Sequence, residues 1–282
     1  MKSETVSGLE RNSLRNLVVG FAIGDALGEI FEFYSPSEDD INKRWHQDRL
    51  IQVTDDTLLL LSSVWALTQS KNDISWPQMT ASTCDYLMGW FNTGALRGIG
   101  TTTYNALKQM QAHSESAGDW NSFRIASRGY NSEMSAGNGI LSRALPLLAS
   151  RIAVDTRFGN WLKLTHLHPD GHRAVDDLAS YLRDGQSPSS GLASDGKGFY
   201  APDTLSIAVR ANTDATSSFE VFSKSQVEDG DNDSTAALAL GLWCFRNGID
   251  KECERIAARI VPEDLALLEQ SLMGVQLSEI FR

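Results

Sequence analysis

The segment TLLLLSSVWAL, residues 57–67, is apolar on nearly every face of a helical projection. A helix of that kind has no side to offer water, so other elements must enclose it all round. It is expected to be the central helix of a helical domain, and it is entered through Thr54, Asp55 and Asp56. A capping box needs one side-chain oxygen at a helix start, whereas this helix is approached by three. The chain has enough material to surround such a helix, since 282 residues at 41% hydrophobic content can bury a substantial core.

The rest of the chain repeats the helical period. In NSLRNLVVGFAIGDALG, Leu14, Leu17, Val18, Phe21 and Ala22 form a buried stripe. Ser75 and Pro77 open a helix through TASTCDYLMGWF, and further helices are expected at 102–111, 139–150, 172–183, 203–212, 217–227, 234–246, 250–259 and after Pro262. Strand-like alternation is scarce. Polar stretches at 35–49, 112–137 and 185–199 read as surface loops rather than linkers, because periodic segments of one character flank them on both sides. The expected fold is all-α, a single domain over 1–282 with its core at about 14–260.

A second acidic cluster, DGDNDS at 229–234, again precedes an apolar helical run. Asp229, Asp231 and Asp233 match the first positions of a calcium loop, but Ser234 stands at the required glycine and Leu240 at the bidentate glutamate. That leaves an acidic cluster at a helix N-terminus, where the dipole favours oxyanions and Ser234 can cap. Closely spaced carboxylates become favourable when a hard cation sits between them. Two such clusters, far apart in sequence and both feeding buried helices, are what an intramolecular metal site would need. Two glycine-framed elements accompany them: GDALGEIFEF, with Asp25 and Glu32, and Gly137-Asn138-Gly139 opening a helix.

Charge and cysteine usage narrow the function classes. A net charge of −11 argues against nucleic-acid binding through a basic surface. Cys84, Cys244 and Cys253 lack metal-site spacing and suit thiols used as filler in a reducing cytoplasm. No run approaches the length of a membrane span, and the first residues carry no apolar leader. A cytoplasmic protein without a membrane partner is expected. The run HLHPDGH, His166 to His172, has one residue too many for a zinc H-x-H-x-D-H pattern, and His168 and His172 read as surface or helix-start residues.

Taken in order, GDALG with its following glutamate, TDDT, RGIGTT, AGNGILSRALP, LTHLHP and GDNDST resemble the motifs of the ADP-ribosylglycohydrolase family, over about residues 14–245. The resemblance implies an orthogonal helical bundle around a binuclear site for Mg2+ or Mn2+. It matches Thr54, Asp55, Asp56, Asp231, Asp233 and Ser234 (threonine in most relatives) to metal ligands. It assigns Glu32, Asp55, Asp56 and Asp233 to catalysis, Gly100 and Thr101 to a phosphate loop, and Gly137, Asn138, Gly139 and His166 to ADP-ribose. The implied activity removes ADP-ribose from modified protein side chains, with arginine the commonest acceptor, by attack of a metal-positioned water at the anomeric carbon of the distal ribose. An immunity or regulatory protein that binds an ADP-ribosyltransferase, and a relative that has lost its chemistry, are the alternatives. Two positions depart from the family pattern: Gly98 stands where many relatives have a loop aspartate, and Asp229 where many have glycine.

Overall fold

The computed structural model describes residues 8–70, 74–116, 119–123, 136–188 and 196–281. Among these the secondary structure is helical, with two isolated bridges, Ile51 to Ile260 and Gly137 to Tyr200. The all-α expectation holds. The helices that carry the site are α1 (Gly8–Gly28), α3 (Asp55–Gln69), α6 (Gly139–Ala149) and α11 (Asn232–Asn247). Residues 55–66 of α3 and 232–242 of α11 are all buried. α3 is enclosed by α1, α4 (Trp76–Thr93), α6, α11 and α13 (Pro262–Met273), as its apolar circumference requires.

α1 and α11 share the most extensive contact of any helix pair, and glycine makes it possible. Gly20, Gly24 and Gly28 recur at four-residue spacing and so lie along one face of α1. A Cβ on Gly24 would lie 2.2 Å from the Ala236 carbonyl oxygen, and one on Gly28 would lie 2.3 Å from that of Asn232. The backbones of α1 and α11 therefore touch along the length that leads to the α11 N-terminus.

The structure corrects several local expectations. Residues 38–46 of the polar stretch 35–49 form helix α2 (Glu38–His46), opened by a reciprocal capping box between Ser37 and Asp40. A short helix α7 (Thr156–Leu162), capped by Asp155, lies where none was expected. The cap of α11 is Asp231, which accepts from the Ser234 N–H, and not Ser234 itself. The expected loop at 112–137 is instead helical as far as Ser116, and its residues 117, 118 and 124–135 lie outside the described residues. Of 185–199, residues 185–188 and 196–199 are non-helical as expected, and 189–195 lie outside the described residues. His168 is the N-cap of α8 (Pro169–Asp184), and the three cysteines are buried free thiols. No helix among the described residues is long and apolar enough to cross a membrane.

Candidate metal centre and substrate site

The two acidic clusters meet. Asp56, at the start of α3, lies beside Asp231 and Asp233, at the start of α11; one oxygen from each falls within 4.8 Å of the others, and all three residues are buried. Hydroxyls and an amide hold the cluster together. Ser142 of α6 donates to Asp56 Oδ1 at 2.6 Å, and Ser234 donates to Asp56 Oδ2. Asn138 Nδ2 donates to Asp231 Oδ2 at 2.8 Å and to the Gly198 carbonyl at 2.8 Å. Thr54 Oγ1 lies 3.5 Å from Asp233 Oδ2. Residues from α3, α6, α11 and the turn before α6 thus converge on one point.

Asp25 is the fixed post behind them. It is fully buried on α1 and accepts from both the N–H and the hydroxyl of Thr54, at 2.9 and 2.7 Å. The N–H of Thr57 donates to it at 3.1 Å, and the Thr57 hydroxyl donates as well. Thr54 makes no side-chain cap for α3, so Asp25 supplies that cap from another helix and sets the turn that presents Asp55 and Asp56. Neither Asp25 nor Ser142 is among the site residues that the sequence motifs single out. Each carried a signal: Asp25 is an acid inside an apolar helical stripe, and Ser142 follows Asn138 by one helical turn.

The remaining site residues take definite positions. Asp55 is buried; its N–H donates to the Arg97 carbonyl at 3.1 Å, and its carboxylate accepts from the Gly100 N–H. Gly100 and Thr101 are exposed at the start of α5 (Thr101–Ser116), and Gly98 has φ of 76°. A Cβ at Gly98 would lie 3.0 Å from Asp55 Oδ1, so an aspartate there would be both strained and crowded. Gly139 lies against buried His166, whose Cε1 would be 3.4 Å from a Cβ at that glycine. His166 Nδ1 faces Thr165 Oγ1 at 2.8 Å, and that oxygen already accepts from Arg143. That hydroxyl keeps a proton and a second lone pair, so it can pair with either tautomer of His166. Asp229 is exposed, with φ of 47°, and accepts from Ser35 Oγ at 3.0 Å; it lies outside the carboxylate group of Asp56, Asp231 and Asp233.

Crowding buried carboxylates carries an electrostatic cost. Burial, then the Asp231 and Asp25 charges, push the Asp56 carboxyl up to about 7. Asp55 and Asp233 are also raised well above the carboxylate range, by burial first and then by neighbouring carboxylates. Burial pushes Asp25 up to about 6 against its four hydrogen bonds. Half-buried Glu32 is raised to about 7 by burial, then by Asp231 and Glu29. His166 moves the other way, down to about 3, by burial and then Arg143 and His172, so it is neutral. A donor set made wholly of oxygens that repel one another when ionised fits a hard divalent cation, and it does not fit zinc or copper.

Stability should follow these shifts. A carboxyl with a raised pKa in the folded protein stabilises it when protonated, and that contribution is lost as pH rises through the folded value. His166 acts in the opposite sense below its ordinary value of 6.5, so the carboxylates are read cleanly above that. Metal-free protein is expected to lose about 5 °C in Tm between pH 6.5 and 8. Excess Mg2+ should abolish that loss, because the ion takes the deprotonated cluster. A flat metal-free profile in thermal melts would mean the carboxylates do not repel as described.

A helical fold that carries oxygen donors from distant helix starts into one buried group belongs to the class of all-α proteins with an acidic centre suited to a divalent cation. The family model for ADP-ribosylglycohydrolase matches residues 8–175. The chain belongs to the ADP-ribosylglycohydrolase family, and is by that membership a glycosyl hydrolase. A solved structure of an ADP-ribosylglycohydrolase-related protein complex aligns with a TM-score of 0.58 at 20% identity, covering 97% of this chain and 99% of that chain. At that identity the likeness attests the fold. No curated protein matches the chain significantly.

Proposed function

We propose that the protein hydrolyses the N-glycosidic bond of mono-ADP-ribosyl-arginine in a modified protein. The observation that carries this is the meeting of buried Asp56, Asp231 and Asp233 beside Glu32. Thr54, Asp55, Asp56, Asp231, Asp233 and Ser234 would hold two divalent cations, Mg2+ or Mn2+. When bound, these ions supply Lewis acidity toward water and the ribose hydroxyls.

The chain's own groups supply the rest. Asn138 orients Asp231, while Ser142 and Ser234 orient Asp56, so the carboxylates are set before the substrate arrives. The sugar is placed against the Gly137–Asn138 turn and the pyrophosphate at the exposed α5 N-terminus that begins with Thr101. The Gly100 N–H is committed to Asp55, and Gly139 is buried under Leu59 and His166. His166, kept neutral by burial beside Gly139, does not change charge near neutral pH. Glu32, half-buried beside Asp231, is the carboxylate placed to serve as general base and acid. It takes a proton from the attacking water as the new C–O bond forms at the anomeric carbon. The C–N bond breaks through an oxocarbenium-like state, and the leaving nitrogen regains a proton to give guanidinium.

The test is release of ADP-ribose from a mono-ADP-ribosylated arginine protein. Turnover is expected with Mg2+, is expected to fall at least roughly a hundredfold in EDTA, and should return on readdition of the metal. Equal activity in EDTA, or none with Mg2+, would overturn the assignment.

A further inference from the structure

Phe33, directly after Glu32, is held in an unusual way. Its φ is 59°, a left-handed conformation that costs a bulky residue energy and persists only where its surroundings fix it. They do so here. The Phe33 N–H donates to the Gly230 carbonyl at 2.9 Å, and Asn232 Nδ2 donates to the carbonyls of Phe31 at 2.7 Å and Tyr34 at 3.2 Å. Ser35 and Asp229 bond to each other twice, at 3.0 and 3.1 Å. The turn that aims Phe33 is therefore fastened to the same 229–233 segment that carries Asp231 and Asp233.

The fastened ring is not core. Phe33 is 67% exposed and stacks on Phe199, with centroids 5.1 Å apart and planes 19° from parallel. Phe199 follows Gly198, whose carbonyl receives Asn138. The surroundings are acidic: Glu29 and Glu32 precede Phe33, and Glu228 and Asp229 line an adjoining cleft with Gly196, Lys197 and Val227. An exposed aromatic stack among carboxylates favours a flat cation over a phosphate.

We propose that the Phe33–Phe199 stack is the acceptor subsite, taking the guanidinium end of the modified arginine against its face. The inference rests on the function proposed above and specifies which part of the chain reads the leaving group. Proximity favours the acceptor over the adenine. The stack adjoins Glu32, the residue given the reacting bond, and on the substrate the acceptor is attached at that bond. Adenine stands a ribose and two phosphates further away.

The experiment compares wild type, Phe33→Ala, Phe199→Ala and Phe33→Tyr, all with Mg2+. Each is measured for kcat/KM on ADP-ribosyl-arginine peptide and on ADP-ribosyl-serine peptide, and for the Kd of free ADP-ribose. Both alanine variants are expected to lose roughly tenfold on the arginine substrate. Any serine turnover and the ADP-ribose Kd should stay within about twofold, and Phe33→Tyr should restore the arginine rate. Weakened ADP-ribose binding in the alanine variants would place adenine on the stack and overturn the proposal. Unchanged arginine turnover would overturn it while leaving the proposed function standing. Wild-type protein that neither binds ADP-ribose nor turns over either peptide would overturn both.

Discussion

The Asp56→Asn protein is expected to fold, to melt in EDTA at pH 8 no lower than wild type, and to be inactive. The first part follows from the cluster's own electrostatics. Asp56 is raised to about 7 because its charge is buried beside Asp231 and Asp25, so at pH 8 that charge opposes folding without a cation. Asparagine keeps the shape and removes the charge. The Ser142 and Ser234 hydroxyls that now donate to the carboxylate can each rotate to suit the amide. The second part follows from the donor count. One of the three converging carboxylates loses its charge, so the rise in Tm with Mg2+ should largely vanish, and turnover should fall roughly a thousandfold, about 4 kcal/mol of barrier. Thermal melts with and without Mg2+, together with release of ADP-ribose, check all three parts. A variant that kept Mg2+-dependent turnover would place the chemistry elsewhere. A variant that melted far lower in EDTA would make Asp56 a structural group whose charge the fold needs.

How much of this was legible in the sequence depends on what kind of signal each part left. α3 and α11 were readable because an apolar circumference has one physical solution, burial on all sides, and each is preceded by oxygens too numerous for a cap. The convergence of Asp56 with Asp231 was readable only as a need: repelling carboxylates imply a cation, but spacing along the chain cannot say which two helix starts meet. Helix α2 was missed because EDDINKRWH is too polar to show a stripe, although its Ser37–Asp40 box was present in the letters. Ser234 was expected to cap its helix and instead donates to Asp56, because Asp231, three residues earlier, already accepts its N–H. Asp25 and Ser142 work through other residues, and the sequence does not show what they touch. The Gly98 departure became intelligible only with its φ and the nearness of Asp55.

The largest expected effect on stability belongs to a residue far from any reacting atom, Gly24. Glycine inside a helix ordinarily weakens it by about 1 kcal/mol relative to alanine, so Gly24→Ala would stabilise an isolated helix. Here the sign reverses. The new Cβ would lie 2.2 Å from the Ala236 carbonyl oxygen, 2.4 Å from its carbon and 2.6 Å from the Ala237 nitrogen, all backbone atoms of α11. No rotamer change can move them, so α1 and α11 must part by about 1 Å or more, at a cost of roughly 3 kcal/mol. The same shift separates Asp25 on α1 from Asp231 and Asp233 at the start of α11, so the Mg2+-induced rise in Tm should shrink along with the baseline. Gly159→Ala is the control, since nothing lies within 4 Å of a Cβ built there and the helix term acts alone. Thermal melts should show Gly159→Ala at or slightly above wild type and Gly24→Ala about 8 °C or more below it. A Gly24→Ala protein as stable as wild type, still gaining the full Mg2+ shift, would show that α11 does not rest on α1 and that the close approach of the two backbones does not set the metal centre.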